Sequence, residues 1–354
     1  LPRGAAIAAT TKRRKAVCRP CSIVPPFARD RLIIALGETA FTLLISSQRK
    51  NDFSEEAAMA FDIHKVSPSI GVEIRGLDTS IPVDAATVRD LRRAWQFDGA
   101  GLMLFRGQKL DKDQQRAFCS LFGTIGVRAG ALPTTRPRAH EGPDYNSDSM
   151  LVSNIRKDGK PIGVLPDGEL WFHHDMCYSA TPNRASFLYS IEVPKTGGDT
   201  MFCNMYAAYE NLPQRLKDAI EGRRVLQAFD EVQDRRLDLS QVPVEDVKHA
   251  WQPMVLRHPE TGRRALYVSR LMSHLIEGMS EAESAKILEE LYDYTEAPEV
   301  KYTHRWAPGD LLMWDNLCSI HARTDFPKTE RRLMRRFTIS GEAVIPAWEA
   351  QSAA

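Results

Sequence analysis

From Leu170 to Ile339 the chain is a succession of short apolar runs separated by turn residues, and this pattern restricts the fold more than any other. Ser186-Phe187-Leu188-Tyr189-Ser190, Met254-Val255-Leu256-Arg257, Ala265-Leu266-Tyr267-Val268, Leu311-Leu312-Met313-Trp314 and Arg336-Phe337-Thr338-Ile339 have the length and residue types of strands. Pro259-Glu260-Thr261-Gly262 joins the second to the third through turn-forming residues, which predicts a hairpin. Helical spacing interrupts the series only at Pro213–Glu221, closed by Gly222, and at Ser280–Thr295, where Ser280 and Glu283 form a capping box. Many short strands with few helices predict a sandwich or barrel-like β core.

The preceding segment supplies the flanking helices. Val72-Glu73-Ile74-Arg75 alternates like a half-buried strand. Asp84 then caps a helix that carries Val88, Leu91 and Trp95, with Gly99 and Gly101 ending it before the strand Leu102-Met103-Leu104-Phe105. Asp111 and Gln114 begin a second helix with Phe118, Leu121 and Phe122. Residues 128–168 are rich in Pro, Gly, Asp and Asn and read mostly as one long loop. A loop of that length within a domain usually serves the site, so we expect a lid. Its Arg128, Arg136, Arg138, Arg156 and Lys157 are candidate anion contacts.

Composition matters chiefly at the N-terminus. Residues 1–58 carry ten Lys and Arg against five Asp and Glu, with no acidic residue before Asp30. This basic leader has three readings: an organellar transit peptide or flexible leader, an upstream stretch before a true start at Met59, or an ordered subdomain. Its apolar run from Leu32 to Ser46 is too short to span a membrane. Cys18 and Cys21 form one C-x-x-C without the second pair or histidine that a zinc site needs. Cys119, Cys177, Cys203 and Cys318 are scattered, as buried reduced thiols of a cytoplasmic-type protein are. Residues 59–354 read as a single domain. The whole chain of 354 residues has a formal charge of +1, which gives no electrostatic case for a nucleic-acid partner, and no run suits a membrane protein.

Trp171-Phe172-His173-His174-Asp175 puts an imidazole and a carboxylate two residues apart. On a strand they share a face and His174 points away. A second imidazole, His321 after Trp314-Asp315-Asn316, would complete a two-His, one-carboxylate set that suits Fe(II) and leaves positions open. Arg332 and Arg336 follow at a spacing that places both on one face of a strand. Trp314 and Tyr206 read as packing residues, and His140, His249, His258, His274 and His304 as surface or loop residues.

With these pieces the chain resembles the TauD/TfdA family of Fe(II)- and 2-oxoglutarate-dependent dioxygenases, which includes taurine and aryloxyalkanoate dioxygenases. The matching segments, in order, are Gly71–Asp78, Asp113–Phe118 with Phe122-Gly123, Phe172–Asp175, Pro194–Phe202, Asn204–Tyr209, His258–Leu266, Arg305-Trp306, Trp314-Asp315-Asn316, His321, Arg332 and Arg336. The resemblance covers roughly residues 66–342. It implies an α+β fold with a double-stranded β-helix (jelly-roll) core and flanking helices. It implies His173, Asp175 and His321 as ligands of Fe(II), Thr200 and Arg332 as holders of the distal carboxylate of 2-oxoglutarate, and Arg336 as the contact for an anionic small-molecule substrate.

O2 is then the co-reactant, succinate and CO2 the co-products, the location cytoplasmic and the assembly a homo-oligomer, dimer or tetramer. Related halogenases lack the carboxylate, so Asp175 favours hydroxylation. The segment Thr124–Gly130 lacks the His and Tyr that help bind taurine, and Glu169 stands where those enzymes have an amide. Taurine is therefore not the expected substrate. Two other classes use similar residues: a zinc hydrolase with the same ligands, and a non-catalytic jelly roll that binds a small acid.

Overall fold

The computed structural model describes residues 60–126, 148–164, 168–230 and 234–348. The leader with its C-x-x-C, Met59, and residues 128–147 and 165–167 of the expected lid lie outside them. Everything described belongs to one compact unit, residues 55–354. Among the described residues no helix is long and apolar enough to cross a membrane.

Two sheets position the site. The larger has seven strands in the order Asp62–Lys65, Val72–Arg75, Leu102–Phe105, Leu311–Asp315, Ala185–Glu192, Leu333–Ile339 and Ser149–Ser153. All its pairings are antiparallel except that of Val72–Arg75 with Leu102–Phe105. The smaller has four antiparallel strands in the order Lys301–His304, Thr200–Asn204, Ser319–Arg323 and Leu170–His173.

The unbroken apolar runs of the central strands follow from burial on both faces of the larger sheet. Side chains alternate across a strand. Leu102, Leu104, Leu188, Leu312, Trp314 and Met334 therefore meet Phe172, Phe202 and Ile320 of the smaller sheet in one core. Met103, Phe105, Phe187, Tyr189, Leu311, Met313, Phe337 and Ile339 face the other way, against Leu91, Trp95, Phe118 and Phe122. The two helices there begin as their sequence predicts. Asp84 accepts from the Thr87 N–H, and Asp111 with Gln114 forms a reciprocal capping box over Lys112–Ser120. A third core joins Met205–Asn211, Gln214–Ile220 and Glu281–Thr295 to the 255–266 hairpin and its neighbours.

Two sequence expectations are corrected here. Ser149–Ser153, inside the expected loop, is the edge strand of the larger sheet, and Arg156-Lys157 pairs with Lys160-Pro161 in a small hairpin. Three apolar residues between serines carry too short a period to announce a strand, and the pairing edge of Leu333–Ile339 supplies what local propensity does not. Arg156 and Lys157 are exposed there, Arg156 donating to the Gly159 carbonyl, so they make no anion pocket.

His258, His274 and His304 are buried rather than superficial, each satisfied by a partner distant in sequence or on another turn. His274 donates to the Ala228 carbonyl at 3.2 Å, and burial with nearby Arg236 pushes its pKa from 6.5 down to about 4. A depressed native pKa means that the unfolded chain takes up a proton first as pH falls. The contribution of this group is complete above pH 6.5 and is lost, by on the order of 3 kcal/mol, on acidification towards about pH 4. His274→Asn is expected to flatten the pH dependence of the urea-unfolding free energy in that window; an unchanged slope would contradict it.

Candidate active site

The Leu170–His173 and Ser319–Arg323 strands pair so that His173 stands directly opposite His321. Their rings tilt against each other with centroids 4.1 Å apart. The strand ends at His173, so Asp175 does not reach the same face by strand alternation as the sequence reading expects. It sits in the turn that follows, where Met176 adopts a positive φ of 59°. That turn swings the carboxylate between the rings: Asp175 Oδ1 lies 3.7 Å from His173 Nε2 and 3.9 Å from His321 Nε2. All three are buried.

The hydrogen-bond pattern shows what these atoms await. His173 Nδ1 donates to the Trp171 carbonyl at 2.9 Å, which fixes the ring with Nε2 turned toward Asp175. Burial, first, and the neighbouring His173 hold His321 well below its ordinary pKa, which keeps it a neutral imidazole. Burial alone would raise the pKa of Asp175, but the Arg336 guanidinium keeps it well below the usual carboxylate range. Two imidazole nitrogens and an ionised carboxylate oxygen converge within 4 Å, which is the donor chemistry of a divalent cation with nitrogen and oxygen preferences. His174 turns away as expected, donating to the Asn316 carbonyl at 2.8 Å and lying against Tyr267.

Thr200 begins the strand that pairs on the other side of Ser319–Arg323, directly opposite Arg323. The Trp306 indole N–H donates to its hydroxyl at 2.9 Å, which leaves the Thr200 proton for another acceptor. The turn before it needs its glycines: at Gly197, φ +70°, a Cβ would lie 2.2 Å from the Asp325 carbonyl oxygen. Arg332 is buried just before the Leu333–Ile339 strand, not within its regular alternation. Its N–H donates to Asn154 Oδ1 at 2.9 Å and its carbonyl accepts from Ser153 at 2.8 Å. Its side-chain Nε and NH1 have no partner. Burial, then the nearby Arg323, lowers its pKa to about 9. A buried guanidinium with unused donors is a place prepared for an anion.

Arg336 reaches the site from within the strand that Arg332 precedes, and its NH2 bonds Asp175 Oδ2, so the residue read as a substrate contact also touches the carboxylate of the candidate metal set. Glu169 is exposed and accepts from the Trp171 indole at 3.0 Å. A second cluster, His258, Asp315 and Cys318, is already filled. Asp315 Oδ2 receives Arg184, Gln96 and His258, and the guanidinium excludes a cation. Sequence reading passed over Ser186, Arg323 and the Ser153-Asn154 pair. Only Ser186 leaves a trace, as one of two buried serines, with Ser190, on the same face of a mostly apolar strand.

A set of two imidazoles and one carboxylate converging from the smaller sheet and its following turn is the donor set of mononuclear non-haem metal oxygenases. Residues 62–338 match the family described as taurine catabolism dioxygenase TauD, TfdA family, and the chain belongs to that family.

Among its relatives is the pentalenolactone F synthase of Streptomyces avermitilis, 30% identical over 83% of this chain and 99% of the relative. The alpha-ketoglutarate-dependent 2,4-dichlorophenoxyacetate dioxygenase of Cupriavidus pinatubonensis is 31% identical over 81% of this chain and its full length. The crystal structure of AAD-2 in complex with Mn(II) and N-oxalylglycine superposes with a TM-score of 0.65 at 28% identity, covering 80% of this chain and all of that one.

Proposed function

We propose that this protein is an Fe(II)- and 2-oxoglutarate-dependent dioxygenase that hydroxylates a small anionic organic molecule, a sulfonate, sulfate ester or aryloxy or other carboxylate. The observation that carries the reading is the pairing of two sites: the His173, Asp175, His321 donor set and, apart from it, the unpartnered Arg332 guanidinium. A hydrolytic zinc centre needs the first and has no use for the second. The relatives that act on 2-oxoglutarate, and the similar structure that holds Mn(II) with N-oxalylglycine, support the same division of labour. The facing sheets are read as a double-stranded β-helix.

His173, Asp175 and His321 would hold the iron, whose chemistry is the coupling of 2-oxoglutarate decarboxylation to oxygen insertion. The protein's own part is positional. Arg332 offers the distal carboxylate of 2-oxoglutarate a charged fork, and Thr200 offers a hydroxyl whose direction Trp306 sets. Arg336 presents positive charge beside Asp175, where an anionic substrate group would be drawn. Trp314, packed 4.7 Å from the His321 ring, helps to keep water out.

Anaerobic addition of Fe(II) and then 2-oxoglutarate is expected to give a weak visible charge-transfer band that neither gives alone. Its absence, together with tight Zn(II) binding and hydrolysis, would favour the zinc enzyme. A screen of sulfonates, sulfate esters and aryloxy acids for substrate-triggered succinate release then identifies the substrate.

A further inference from the structure

Asp175 has two oxygens with different surroundings. Oδ1 faces the imidazole nitrogens of His173 and His321. Oδ2 is bonded by the Ser186 hydroxyl at 2.7 Å and by Arg336 NH2. The Ser186 oxygen also accepts from Arg336 NH2 at 2.9 Å and from Asn316 Nδ2 at 3.3 Å. A hydroxyl has one proton and two lone pairs, a guanidinium can only donate, and an ionised carboxylate can only accept. With both lone pairs taken, the Ser186 proton is committed to Oδ2.

We propose that Ser186 is a positioning residue of the metal centre: with Arg336 it saturates Oδ2, so that Asp175 ligates through Oδ1 alone and one coordination position stays open. This rests on the reading of the triad as a metal site. Arg336 is also the charge set aside for the substrate anion. Ser186 is then the donor that remains on Asp175 when the guanidinium is shared, and it keeps the carboxylate from rotating to chelate the metal when substrate arrives.

The test uses Co(II) alone as the probe, titrated into the metal-free full-length protein and followed by its visible d–d absorption. Ser186→Ala is expected to weaken Co(II) binding by about 10- to 100-fold, the range for loss of a group that orients a ligand. It is also expected to lower the band intensity, as a freed Oδ2 joins the coordination shell.

Ser190→Ala is the structural control. Ser190 is equally buried on the same strand face, but its hydroxyl goes to the Ala307 and Asp310 carbonyls. It is expected to leave Co(II) affinity and spectrum unchanged. Wild-type affinity and spectrum in Ser186→Ala, or an equal loss in Ser190→Ala, would overturn the proposal. If wild type and Asp175→Ala bind Co(II) alike, the metal-site reading itself fails, which is a different result.

Discussion

Asp175→Ala is expected to lower substrate-dependent succinate formation by more than about 10³-fold, because the centre loses its only anionic donor and two neutral imidazoles hold a divalent ion poorly. The same change strips Arg336 of its carboxylate partner, leaving a mostly buried charge against the Ser186 hydroxyl and the Trp314 ring. Removing one member of a buried pair costs about 3–5 kcal/mol. Loss of activity must therefore be read beside the thermal midpoint. Asp175→Asn keeps the shape and an acceptor oxygen, and is the partner variant that separates loss of charge from loss of packing. Full coupled turnover in Asp175→Ala with iron bound would overturn the assignment.

Arg332→Met should act in opposite directions on cosubstrate binding and on stability. Its guanidinium is buried with Nε and NH1 unpartnered, and Arg323 nearby adds like charge. In the protein without 2-oxoglutarate that is an uncompensated cost, so a similar-sized apolar chain is expected to leave thermal stability equal or higher. With 2-oxoglutarate the charge is what the distal carboxylate would pair with. Truncating one side of such a pair costs about 2–5 kcal/mol, a 2-oxoglutarate dissociation constant raised by roughly 30- to 5,000-fold. Equilibrium titration with N-oxalylglycine in the presence of Mn(II), alongside a melting curve, measures both. Unchanged affinity would show that the distal carboxylate is held elsewhere.

How much of this was legible in the sequence depended on whether the cause was local. The helices over 85–93, 112–120 and 281–295 carry their own caps, and the central strands carry runs that only two-sided burial explains. His173, Asp175 and His321 were legible as a motif, and the structure brings the three together. The parity that was to carry Asp175 and to join Arg336 to Arg332 fails, because Asp175 lies in a turn and Arg332 lies before its strand. The strand at Ser149–Ser153 and the burial of His258 have causes hundreds or tens of residues away, in Leu333–Ile339 and Asp315. Ser186 escaped notice for the same reason: a serine in a strand is ordinary until three distant side chains point at it.

The placement of the two imidazoles has a consequence for the integrity of the sheet. His173 closes the outermost strand of the four-stranded sheet, next to a register shift, and its only ladder partner is the strand of His321. An edge strand four residues long is weakly held by backbone bonds alone. An ion gripped by facing rings on adjacent strands fastens that edge as a cross-link would. With a metal bound at the candidate site, the rim of the sheet would then resist proteolysis and exchange in proportion to how tightly the ion is held, and metal removal would be expected to fray it.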